Sequence, residues 1–304
     1  MYPELFFMTV QIKPITYYKN RLNYVLALHI IVVNVCVSFS QTELGYHQIW
    51  NNYSLINPAA TGLFSKNYLS ISRRSENTYI NKNPRAFSFI LDHRFLKRDC
   101  GVGISFKNDK YGYLNSNKFN INGSYQFRIA ENGKLSLGAS LNTTGFHYLP
   151  DYLLSLIVKE QNGRLYDVNL GMMIKTKRFV FGLSTVNVNQ SKYRRDSYIY
   201  QNQRYTFAHI TYDFDIGKSL TVRPGIFLKT DFNFSAIDYN ILLRIKEEYR
   251  IGFSYREKDK ISLIAGLDLG SKIRLGYSYS TTTSKKNNDL IGGSHEVGIV
   301  FLFN

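Results

Sequence analysis

Period-two alternation of apolar and polar residues recurs along the chain after residue 40. In "KFNINGSYQFRI", Phe119, Ile121, Gly123, Tyr125, Phe127 and Ile129 share one face. Lys118, Asn120, Asn122, Ser124, Gln126 and Arg128 share the other. Successive side chains of a strand point to opposite sides, so the pattern predicts a strand with one oily and one hydrophilic face. "KIRLGYSYS" sets Ile273, Leu275, Tyr277 and Tyr279 against Arg274, Gly276, Ser278 and Ser280. "KLSLGASLN" sets Leu135, Leu137, Ala139 and Leu141 against Ser136, Gly138, Ser140 and Asn142, a small second face that leaves space in an interior. Fourteen such segments are predicted, near 66–73, 85–93, 101–107, 118–129, 134–149, 166–176, 178–188, 204–216, 220–230, 236–245, 249–257, 260–269, 272–281 and 294–304. Many exceed the roughly 5–6 residues usual in soluble proteins. They approach the about 9–11 that a tilted strand needs to cross a bilayer.

The links form a second pattern. After even segments they are short: "LKRDC", "ENGK", "TK", "GKS", "KEE" and "GS". After odd segments they are mostly longer: "SENTYINKN", "NDKYGYLNSN", 150–165, 189–203 and "TTSKKNNDLIGG". The odd links around Asp231 and Lys258 are short. Alternation of tight turns with long loops is the layout of a transmembrane barrel, whose tight turns are periplasmic. In lipid every backbone N–H and C=O must be paired within the protein, and only a closed sheet has no edge. The fold class is therefore all-β, an antiparallel transmembrane β-barrel of about fourteen strands over residues 66–304. An even count puts both mature termini on the periplasmic side of an outer membrane, whose lipids contact the apolar face. The tail "VGIVFLFN" places Val297, Ile299, Phe301 and Phe303 on one face, the layout of a terminal barrel strand.

The first 40 residues read differently. Lys13, Lys19 and Arg21 precede the apolar run Leu22–Phe39, and Ser38 and Ser40 flank a cut before Gln41. That is a secretory signal peptide over 1–40, read in preference to a transmembrane anchor. Residues 41–65 then form a periplasmic lead.

Composition adds little chemistry. The chain has 24 Tyr and 21 Phe, suited to the aromatic girdles of a barrel. The net charge is +16, but the basic residues are scattered and read as solvated positions, with no nucleic-acid partner. After the leader only Cys100 remains, which excludes an internal disulfide. No histidine pair has the helical i, i+4 spacing of a zinc site, and no Gly-rich phosphate loop occurs. No metal, no cofactor and no enzymatic activity are expected.

Two segments go beyond a generic barrel: "YSLINPAATG" ahead of the first strand, and "GGSHEVGIVFLF" opening the last. On these the chain resembles the PorP/SprF family of outer-membrane proteins of Bacteroidetes, the matching residues being Asn57, Pro58, Ala59, Gly62, Gly293, Ser294, His295 and Glu296. The resemblance implies a non-enzymatic component of type IX protein secretion or of gliding motility, assisting export or surface anchoring of cargo. It implies as partners the periplasmic and lipoprotein components of that system, and secreted proteins with C-terminal sorting domains. The alternative from the residues alone is a general porin or solute transporter, given the polar inner face with Arg223 and Arg274. Pro58 fixes φ and pushes Asn57 to an extended conformation, and Gly62 can take positive φ. The first motif is thus expected as a turn at the periplasmic mouth. His295 and Glu296 are expected near the external rim, facing the lumen and holding the last long loop, as a feature separate from the first motif. Any of the eight residues is a candidate partner contact.

Overall fold

The computed structural model describes residues 48–76, 82–149, 160–195, 198–257, 260–283 and 293–303. The leader read over 1–40 lies outside them. Every wall crossing is a strand. The wall runs through β1 (Asn67–Ser75), β2 (Arg85–Phe95), β3 (Cys100–Tyr111), β4 (Leu114–Ala130), β5 (Gly133–Tyr148), β6 (Gln161–Lys175) and β7 (Phe179–Val186). A small separate hairpin, β8 (Lys192–Arg195) with β9 (Tyr198–Gln201), decorates the next loop. The wall continues with β10 (Tyr205–Tyr212), β11 (Phe214–Ile216), β12 (Leu220–Thr230), β13 (Ser235–Ile245), β14 (Tyr249–Arg256), β15 (Lys260–Leu269), β16 (Ile273–Thr282) and β17 (Ser294–Phe303).

Neighbours are antiparallel throughout, and β1 pairs with β17 from Asn67↔Phe303 to Ser75↔His295. Pairing of β10 with both β7 and β12 closes the ring. β10 and β11 are two pieces of one stave interrupted at Asp213, so the wall is a closed barrel of fourteen staves.

Burial is inverted relative to a soluble protein. On β4, Ile121 is 58% exposed and Phe127 44%, whereas Asn120, Asn122 and Gln126 are 2–3% exposed. Apolar side chains point out and polar ones point in, the arrangement a bilayer selects. Short turns at 96–99, 131–132, 176–178, 217–219, 246–248 and 270–272 gather at one end, together with Asn67 and Phe303. One expected long loop is not one. β3 and β4 extend through "NDKYGYLNSN" to a turn at Gly112–Tyr113, with Gly112 at φ 55°. Outward Asn108 donates to Asn115 and Asn117, both at 2.7 Å, so polar residues that read as a loop are a ladder. Its outer face is polar because it stands clear of the apolar band that ends at Phe106 and Phe119.

Candidate functional site in the barrel lumen

Residues 48–64 form no lead outside the wall; they fill the lumen toward the short-turn end. Ile49–Asn51 is a 3₁₀ turn and Tyr53–Ile56 a single α-turn. Asn57 then breaks the helix at φ −140°, ψ 106°, as a residue before proline must. Its Oδ1 accepts from Ala59 N at 3.0 Å and caps the 3₁₀ turn Pro58–Ala60, with proline at its first position. Gly62, at φ 66°, turns the chain toward β1.

Such short turns leave most backbone groups unpaired, and the wall supplies the partners. Ser184 Oγ donates to Ile56 O at 2.7 Å, and Ser124 Oγ to Thr61 O at 2.7 Å. Tyr68 OH donates to Asn51 O at 2.9 Å. Asn57 Nδ2 donates to Met172 O (3.1 Å) and Leu183 O (3.3 Å) on neighbouring strands. Ser54 Oγ donates to Asp92 Oδ2 at 2.6 Å. Apolar packing reinforces these bonds: Ile49, Tyr53 and Leu63 pack on Met173, Val186, Phe207 and Phe227 of β6, β7, β10 and β12. Each large apolar side chain buried there contributes about 1.5–3 kcal/mol. Tyr53 stacks on His209 with centroids 4.5 Å apart, and burial pushes its hydroxyl up to about 12.

The wall is cut to receive this plug. A Cβ on Gly101 would lie 2.2 Å from Thr61 O, and one on Gly138 2.3 Å from Ala59 N. On Gly171 it would lie 2.0 Å from Asn57 Oδ1, and on Gly276 1.8 Å from Gln48 Oε1. Four strands thus carry glycine where the plug touches them, and at Gly101 and Gly138 the neighbour is plug backbone, which cannot turn aside for a larger residue.

The second motif divides between the two faces of β17. Glu296, 1% exposed, faces the lumen: it accepts from Gln48 N at 3.2 Å and lies 3.5 Å from Arg74 Nη1. Arg74 also pairs with Glu76, which Lys260 Nζ meets at 3.1 Å. Burial alone would raise the Glu76 carboxyl, but Arg74 and Lys260 hold it below its ordinary value. His295 points outward, its Nδ1 2.8 Å from Tyr277 OH, which corrects the expectation of a lumen-facing His-Glu pair. Adjacent strand residues cannot share a face. Ser294 is buried opposite Ser280, and a Cβ on Gly293 would meet the Tyr279 ring at 2.3 Å. The expectation of separate motifs is also corrected, since Glu296 grips the head of the segment that carries Asn57 to Gly62.

Between the plug and the β7–β17 side of the wall lies a cavity of about 200 Å³ at the short-turn end. Trp50, Tyr53, Phe64 and Tyr68 line its aromatic side. Asp213 receives Arg223 at 2.6 Å and lies 3.7 Å from Arg244. Asp268 lies 2.8 Å from Arg250 and 3.9 Å from Arg274. Lys175 donates to Leu63 O at 3.4 Å, its ammonium 4.9 Å from the Phe64 ring centroid. Among the described residues no group of three or more His, Cys, Asp or Glu side chains is placed to hold a metal ion.

The family model of the type IX secretion system membrane protein PorP/SprF matches residues 38–301, from ahead of the plug to within the last strand. The chain belongs to the PorP/SprF family. This PorP/SprF chain is a membrane protein of the type IX secretion system with an outer-membrane barrel fold. Among solved structures it is similar to the CymD monoaromatic hydrocarbon channel, at 11% identity and a TM-score of 0.54, over 84% of this chain and 93% of that one. It is also similar to the Acinetobacter baumannii outer membrane protein Omp33, at 12% identity and 0.48, over 79% and 100%. Such likeness concerns the fold alone. Among curated proteins none matches.

Several residues of the PorP/SprF plug site escape a reading of the sequence: Asp92, Ser124 and Ser184 reach the plug from strands far apart in the chain, Gln48 heads the plug, and Arg74 meets Glu296 across the β1–β17 seam. A usable signal was strand parity. Val297 and Ile299 on the apolar face put His295 outside and Glu296 inside.

Proposed function

We propose that this chain is a non-enzymatic, plugged barrel that assists export or surface anchoring of cargo in type IX secretion or gliding, both mature termini being periplasmic. Family membership supplies the system, and the interlocked plug is the observation that carries the rest. A lumen occupied by a segment hydrogen-bonded to many wall strands suits a scaffold better than a passage for solutes. The partners in this reading are periplasmic and lipoprotein components of the system, and secreted proteins with C-terminal sorting domains. Asn57, Pro58, Ala59, Gly62 and Glu296 act in it as keys that seat the plug. Gly293, Ser294 and His295, nearer the long loops, are left as the candidate partner contacts. A porin or solute transporter is the competing reading, and it would require the plug to leave. Deleting the gene and profiling secreted and surface-attached proteins tests the proposal. Loss of a subset of sorting-domain proteins is expected; an unchanged profile would sink it.

A further inference from the structure

The cavity at the short-turn end is unevenly charged. Seven cationic side chains line it against two carboxylates, Asp213 and Asp268. Each carboxylate serves two guanidiniums, and the second of each pair, Arg244 and Arg274, stands off at 3.7 and 3.9 Å. Beyond the lining, Glu247 lies 3.4 Å from Arg244 and Asp215 meets Arg178 at 3.1 Å, which leaves Arg274 the more loosely held guanidinium of the two. Among the described residues Lys175 meets the Leu63 carbonyl and the face of Phe64, with no carboxylate partner. The Trp50 indole N–H is buried beside the same space, without a hydrogen-bond acceptor among the described residues. Gathering like charges in a partly enclosed space is unfavourable unless an anion joins them.

We propose that this cavity binds a carboxylate-bearing polypeptide segment that enters from the short-turn end. Lys175 and Arg274 meet the carboxylate, and the Trp50 and Phe64 rings take a neighbouring apolar side chain. A guanidinium and an ammonium are strong partners for a carboxylate, with charge-assisted hydrogen bonds. The aromatic side distinguishes such a segment from a bare inorganic anion, which would leave four rings uncovered. The volume, about 200 Å³, falls below the roughly 300–1,000 Å³ of small-molecule sites and suits one or two side chains. The cavity lies inside a closed wall, so a bilayer lipid, whose acyl chains stay outside, is not the occupant. The inference stands on the cavity and does not depend on the export reading; an unchanged secretome would leave it intact.

The test uses the purified full chain in an uncharged detergent and a fluorescent pentapeptide ending in Asp-Glu-Phe with a free carboxylate. Controls are the Asn-Gln-Phe amide, inorganic phosphate and acetate. Saturable binding is expected, weakened by salt and about tenfold or more weaker in Lys175→Gln and in Arg274→Gln. Heat-modifiable migration on gels checks that each variant still holds a folded barrel, and the Lys175→Gln variant serves if Arg274→Gln fails to fold. Absence of binding, equal binding of the neutral peptide, or unchanged affinity in the folded variants overturns the proposal. Competition by phosphate or acetate as strong as by unlabelled peptide overturns the polypeptide assignment and leaves a compact-anion site.

Discussion

Glu296, on the last strand, accepts the backbone N–H of Gln48, 248 positions earlier in the chain, at 3.2 Å. The bond ties the head of the plug to the strand that closes the barrel on β1. Glu296 also holds the buried Arg74 of that first strand. Removing it leaves a buried guanidinium with one fewer partner and the plug without its first anchor. Breaking a buried pair from one side costs about 3–5 kcal/mol, and Arg74 keeps Glu76. Glu296→Ala is therefore expected at the lower end, near 3 kcal/mol by urea unfolding. Glu296→Gln, which keeps an acceptor for Gln48, should lose less.

His295, one residue away, provides the contrast. It faces outward against Tyr277 and Tyr279, on the side of β17 away from the lumen. His295→Ala should change unfolding by about 1 kcal/mol or less, the worth of one partly exposed hydrogen bond. Plug protection against protease should stay as in the unmodified chain. A loss equal to that of Glu296→Ala would contradict the division of faces.

Gly138 is the sharpest steric test. Its absent side chain leaves room for the backbone of Pro58 and Ala59, which cannot rotate away as a side-chain tip can. Gly138→Ala should cost roughly 1–3 kcal/mol through overpacking. Gly138→Leu should unseat the plug, and chymotrypsin should then cut at Tyr53 or Phe64. A plug as protected as before would contradict the cradle.

Acid should act through Glu76. Its carboxyl is depressed on folding, so the stability it adds is present above its ordinary value of 4.5 and is lost as pH falls through the folded value. Glu76→Gln should unfold more readily at neutral pH, and the gap to the unmodified chain should close below pH 4.5. A gap that stays constant with pH would remove the ionic account.

The wall was legible because each stave repeats one rule, apolar out and polar in, over enough residues for period two to register. "NDKYGYLNSN" was misread for the same reason: above Phe106 the outer face turns polar and the alternation vanishes while pairing continues. The plug was not legible as a plug. Its turns are three and four residues long, too short for any periodicity, and its backbone partners Ser124 and Ser184 come from strands far along the chain. Asn57-Pro58 did disclose the local break and Gly62 the local turn. The small face around Gly138 disclosed interior space, with no sign of what fills it.

Single-channel recording in planar bilayers decides most directly between a seated plug and an open pore. The purified, unmodified chain should give no wide, steady conductance, and Gly138→Leu should raise the frequency of openings. A wide, steady pore from the unmodified chain would contradict a lumen closed by residues 48–64.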